Sequence, residues 1–115
     1  MTMEHQDAKV LRRAAEIVDQ GWCQNALALT VDGKVLRGDT QETFLHPQAG
    51  QWCLLGAIML AYREVTGSMD GRGWCDVYLR VNGHVRGASA IAWNNAPGRT
   101  ADEVAALMRR VAEEA

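Results

Sequence analysis

The chain has 115 residues, 48% of them apolar and 23% charged, with a formal net charge of −2. That length buries one hydrophobic core without metal or disulfide staples, the composition excludes a disordered chain, and the charge balance lacks the basic footprint of a nucleic-acid binder. Four tryptophans against one phenylalanine favour side chains that suit helix junctions and interfaces as well as cores, because each indole N–H wants a partner.

Residues 1–6 read as a loose lead into an amphipathic helix over 7–20. There Val10, Leu11, Ala14, Ile17 and Val18 share one face, and Gly21 offers a stop. After Trp22-Cys23-Gln24-Asn25, apolar segments at 26–31 and 34–36 flank Asp32-Gly33. That is a hairpin signal, although a two-stranded ribbon alone is marginal; a hairpin and an ordered loop stand level. Residues 37–51 are polar and read as a surface loop pinned by Phe44 and Leu45. The tripeptide Arg37-Gly38-Asp39 inside it is too short a match to carry meaning. Residues 52–66 predict the most apolar helix, expected to be central and most enclosed. Gly56 costs about 1 kcal/mol relative to alanine in a helix, so it should let a neighbouring backbone come close.

A glycine-rich connection follows over 68–73. Val77, Leu79 and Val81 alternate before Asn82-Gly83, which predicts a short strand or irregular turn at 76–86 and then a short helix at 87–94. Asn94 and Asn95 end that helix, and Pro97-Gly98 makes a turn. Thr100 and Glu103 form the pattern of a capping box for a last helix over 101–113, whose Val104, Leu107, Met108 and Val111 fall at helical spacing. The expected architecture is a mainly α, compact domain of three to four helices spanning 1–115. Helix 52–66 lies in the middle, helices 7–20 and 101–113 pack against it, and a small β-hairpin or irregular insert decorates it.

Three cysteines at wide spacing, Cys23, Cys53 and Cys75, with no C-x-x-C pair, fit reduced thiols rather than a disulfide framework. The polar start has no signal-peptide core, and the apolar run at 52–62 is too short for a bilayer. A cytoplasmic protein without membrane contact is expected.

Three separated blocks stand out. Gly21-Trp22-Cys23-Gln24 follows the first helix, and Trp52-Cys53-Leu54-Leu55-Gly56-Ala57 opens the second. Trp93-Asn94-Asn95-Ala96-Pro97-Gly98-Arg99-Thr100 precedes Glu103-Val104. In this order, and over most of the chain, they resemble a family of small uncharacterised bacterial and phage proteins that pair a C-x-x-G-A helix with a W-N-D…R-T…E-V block. The resemblance implies a mainly helical accessory protein, often encoded by phages or mobile elements, and carries no known catalytic activity. Asn95 stands where the family usually has aspartate, so any chemistry of that carboxylate is lost here.

Cys53, at the start of a helix, has the position of an activated thiol. His46 or His84 would serve as its base and Asn94 as an orienting group; the competing role is a buried small hydrophobe. The three cysteines and the histidines His5, His46 and His84 lack the close pairs of a zinc site, and no metal or cofactor is expected. Trp93, Asn94, Asn95 and Arg99 could hydrogen-bond a partner or ligand. Equally, the asparagines could end a helix while Arg99 bonds its last carbonyls, and this structural role ranks first. Arg12-Arg13 and Arg109-Arg110 read as solvated helix faces rather than a nucleic-acid patch.

The function these features favour is a non-catalytic protein-binding accessory factor, in its sharpest form a phage-type inhibitor or modulator of a host defence complex. Its face would join Trp74, in a 68–76 loop, with Trp93, Asn94, Asn95 and Arg99. The partner would be a host protein or complex, with a homodimer also admissible and nucleic acid disfavoured. The alternatives are a small thiol-dependent enzyme using Cys53 with His84, and a ligand-sensing helical domain with a pocket near Trp22, Trp52 and Trp93.

Overall fold

The computed structural model describes residues 3–36, 40–69, 73–87 and 89–114. Among them run five helices and one two-stranded antiparallel sheet: α1 (Met3–Gln20), β1 (Ala28–Thr30), β2 (Ala49–Trp52), α2 (Leu54–Thr66), α3 (Gly73–Asn82), α4 (Ala90–Asn94) and α5 (Ala101–Glu114). A 3₁₀ turn, Thr40–Leu45, precedes β2. The mainly helical fold with a small β insert is as expected. The Arg37-Gly38-Asp39 tripeptide and residues 70–72 of the glycine-rich connection lie outside the described residues.

The helix expected in the middle is not the one found there. α1 is the central element, with α5 along one side and α2 along another, while α2 and α5 scarcely meet. The reason is the width of the apolar face on α1. Val10, Leu11, Ala14, Ala15, Ile17 and Val18 are all buried, a double stripe that can serve two neighbours. α2 is more apolar because several small elements cover it: α3, α4, β2 and the 3₁₀ turn each lie against it.

α1 begins at Met3 and ends where Gly21 N–H bonds the Ile17 carbonyl at 3.1 Å. The glycine serves less as a helix stop than as clearance. A Cβ there would lie 1.9 Å from the carbonyl oxygen of Gly50, so β2 could not run past the end of α1. Gly56 works in the same way: its Cβ would lie 2.1 Å from the Leu27 carbonyl oxygen. The expected close approach is therefore real, but the neighbouring backbone belongs to the segment leading into β1 and not to a helix.

Asp32-Gly33 does turn the chain. Gly33 takes φ +84°, its N–H bonds the Thr30 carbonyl at 2.9 Å, and Leu29 bridges Val35. The longer ladder runs to β2 instead, with Ala28 opposite Trp52, Leu29 opposite Gln51 and Thr30 opposite Ala49. Residues 37–51 are thus not simply a surface loop. They contain the 3₁₀ turn and most of a strand, and Phe44 pins them as anticipated: its ring is buried and its carbonyl accepts the Trp52 indole N–H at 3.0 Å.

The second correction is α3. Residues 76–82 form a helix and not a strand. Val77 and Val81 are 0% exposed, whereas Leu79, the middle member of the alternating trio, is 51% exposed. Positions 77 and 81 are also one helical turn apart, so one valine pair satisfies either periodicity and the tertiary contact decides. Asn82-Gly83 ends this helix, with Gly83 N–H on the Leu79 carbonyl at 3.1 Å. The capping box of α5 is formed: Thr100 N–H bonds Glu103 Oε1 at 2.9 Å and Glu103 N–H bonds Thr100 Oγ1 at 3.2 Å.

Candidate functional site

The Trp93-Asn94-Asn95 block sits at the end of α4, beside the N-terminus of α2 and the 22–25 segment. Ser89 starts α4 by capping, its hydroxyl accepting from Ala92 N–H at 3.0 Å. The short helix then delivers Asn94 inward, 1% exposed. Its amide is fully engaged by the chain. Oδ1 accepts from the Trp22 indole N–H at 2.7 Å and from Leu54 N–H at 3.2 Å. Nδ2 donates to the Cys23 carbonyl at 3.3 Å and to Asn95 Oδ1 at 3.0 Å. Leu54 N–H is one of the donors that the first turn of any helix leaves open, so Asn94 completes the cap of α2 from across the fold.

The surrounding bonds extend the clamp. Gln24 Nε2 donates to the carbonyls of Asn94 at 3.0 Å and Ala96 at 2.9 Å. Asn95 Oδ1 accepts Asn25 N–H at 2.8 Å, where Asn25 holds φ +66°. Both bonds to Asn95 end on its oxygen, so an aspartate at this position would accept them equally well. Among the described residues no buried side-chain nitrogen or oxygen lacks a partner.

Cys53 supplies the other half of the α2 cap, with Sγ accepting from Gly56 N–H at 3.4 Å. It is buried at 6% exposure. Burial pushes its thiol pKa up, outweighing the backbone N–H groups that pull it down. The thiol of Cys23 is pushed up to about 12 by burial and by the nearby Cys53. Neither histidine is hydrogen-bonded to Cys53. His46 Nδ1 accepts Gln48 N–H at 3.0 Å, and His84 holds the Arg80 carbonyl at 3.1 Å and Glu114 Oε1 at 2.9 Å. The proposed Cys53–His84–Asn94 arrangement is therefore not assembled, and Asn94 orients a tryptophan and a helix end instead. No group of three or more His, Cys, Asp or Glu side chains among the described residues could hold a metal ion.

Trp93 faces the other way. Arg99 stacks on its ring, 3.9 Å from the centroid, and bonds its carbonyl through Nε at 2.9 Å, which is the helix-end role expected of this arginine. The ring also lines an open cleft of about 470 Å³ between the end of α3, α4 and α5, together with Val85 and Leu107. His84, Arg86 and Arg110 flank it. Glu103 also lines it, but its carboxylate is taken up by Thr100 N–H and by Arg99 at 3.5 Å. Arg86 and Arg110 form no ion pair among the described residues, whereas Arg13 and Arg109 pair with Glu64 and Asp19 across helices.

Trp74 does not join this group. It lies in the first turn of α3, half-buried rather than in an exposed loop, next to Gly73, which abuts Tyr62 toward the far end of α2. Asn94 is bonded at Leu54, so the two lie at opposite ends of a helical stretch about 12 Å long. Asn94 is likewise not on an exposed rim. The residues missed at the outer cleft are Arg86 and Arg110. A signal existed for Arg110: with Glu103 and Leu107 it falls at helical spacing along one edge of α5.

A buried asparagine clamp that ties the end of α4 to the start of α2 and to the 22–25 segment defines a small helical domain with an architectural polar centre. The chain belongs to a family of unknown function, DUF6197, whose model matches residues 3–114. No curated protein and no solved structure matches it. No helix among the described residues is long and apolar enough to cross a membrane.

Proposed function

We propose that this chain is a non-catalytic protein-binding accessory factor, in its sharpest form a phage-encoded inhibitor or modulator of a host complex. The observation that carries the reading is the state of Asn94: all four hydrogen bonds of its side chain go to the chain itself. The polar block that most resembles a reactive centre is thereby committed to holding the fold. The Cys53 thiol, capping a helix with a raised pKa, has the same commitment. What the domain offers outward is a tryptophan with arginines around it, the residue types that anchor protein interfaces.

Quantitative affinity capture from a bacterial host, comparing the wild-type protein with Cys53→Ser, tests this. A partner held at equal yield by both proteins is the expected result. The thiol-enzyme alternative takes over if Cys53 is alkylated rapidly at neutral pH in the folded protein and a hydrolase or transferase activity disappears in Cys53→Ser.

A further inference from the structure

We propose that the cleft beside Trp93 is where the partner binds, and that the partner presents an acidic segment carrying one bulky apolar side chain. This rests on the protein-binding reading above and names the chemistry of its occupant. The cleft has two parts. One part of its lining is apolar, contributed by Trp93, Val85 and Leu107, and its volume of about 470 Å³ has room for one large side chain. Its margin carries Arg86 and Arg110, which form no ion pair among the described residues, while the one carboxylate in the lining, Glu103, is tied to Thr100 and Arg99, and Glu114 beside it is taken up by His84. An apolar side chain on the tryptophan with carboxylates on either side satisfies both parts at once, and desolvated arginines gain most from carboxylates in paired geometry.

Two other occupants fit less well. A nucleic acid needs a run of basic residues along its backbone; here two arginines stand on a chain of net charge −2, with Asp102, Glu113 and Glu114 on the same helix. A second copy could offer the acidic end of its own α5, but the apolar residues beside those glutamates, Val111 and Ala112, are buried.

The test uses the full chain, ¹⁵N-labelled, titrated with short synthetic peptides and followed through the Trp93 indole N–H and the Val85 and Leu107 amides. A peptide with a central phenylalanine between glutamates should shift all three signals. Replacing its phenylalanine by alanine or its glutamates by lysines should abolish the effect. The Arg86→Glu/Arg110→Glu variant should bind the acidic peptide at least about tenfold more weakly while keeping its melting temperature, since reversing both charges replaces attraction with like-charge repulsion. No shift at millimolar peptide, equal shifts with the lysine peptide, tighter binding of oligothymidylate, or concentration-dependent shifts of the protein alone would each overturn the proposal. A captured partner that Arg86→Glu/Arg110→Glu still holds would overturn this site and leave the protein-binding reading standing.

Discussion

Trp93 and Asn94 are neighbours in the chain and opposites in the structure. Asn94 turns inward, where its side-chain amide is bonded to Trp22, Cys23 and Leu54 from distant segments and to its neighbour Asn95. Trp93 turns outward, covered on one part of its ring by Arg99 and open to a cleft on another. The difference separates two uses of conspicuous residues. A group whose hydrogen-bonding capacity is exhausted by the fold has none left for a ligand, while an aromatic surface with unpaired arginines beside it is still available. The inward side should therefore govern stability and the outward side should scarcely touch it.

The largest effect follows from breaking the inward side. Asn94→Ala removes the acceptor of the Trp22 and Leu54 N–H groups and the donor to the Cys23 carbonyl, leaving buried polar groups unpaired at a cost of about 1–3 kcal/mol each. Thermal unfolding should show a loss of about 3 kcal/mol or more, a large share of the stability of a domain this size. Gly56→Ala attacks the same corner sterically. Its Cβ would meet the Leu27 carbonyl oxygen at 2.1 Å, and backbone cannot step aside as a flexible side chain can. A destabilisation of about 2–3 kcal/mol is expected from urea melts.

How much of this could be read beforehand differs by element. The apolar stripes of α1 and α5 and the Thr100–Glu103 box are local patterns, and each is present where local spacing placed it. α3 was ambiguous because Val77 and Val81 fit a strand and a helix alike. β2 was hidden because Ala49-Gly50-Gln51-Trp52 has no β-branched residue; it forms where Gly21 and Gly50 let backbones pass. The site divided in the same way. Trp93, Asn94, Asn95 and Arg99 stood out together, but the partners that decide the role of Asn94 are at positions 22, 23 and 54. Only the folded chain brings Trp22 and Asn94 within 2.7 Å.

On the outward side the effects should be small. His84, at the margin of the cleft, has its pKa raised, first by its bond to Glu114 and then by the Arg80 carbonyl. A group whose folded pKa lies above its unfolded value, about 6.5 for histidine, contributes its full stability below that value and loses it as pH rises through the folded one. His84→Asn should thus lower stability at about pH 5.5 by no more than a few tenths of a kcal/mol, as the pair is exposed to solvent. At about pH 9 it should have no effect in the same denaturation series. The smallest change is expected from Asn95→Asp. Both bonds to this side chain end on its oxygen, so the melting temperature should stay within the shift produced by about 0.5 kcal/mol. A much larger loss would mean that the Asn95 nitrogen has a role of its own.

The most direct test of the division between the two neighbours is hydrogen exchange at the Trp22 indole N–H, followed by NMR in the native protein. A bond to the buried Asn94 Oδ1 predicts slow exchange, requiring an opening close to global unfolding, with protection lost in Asn94→Ala. An indole that exchanges as fast in the wild-type protein as in an unfolded chain would contradict the architectural role of Asn94 and return its amide to the list of groups free to bind a ligand.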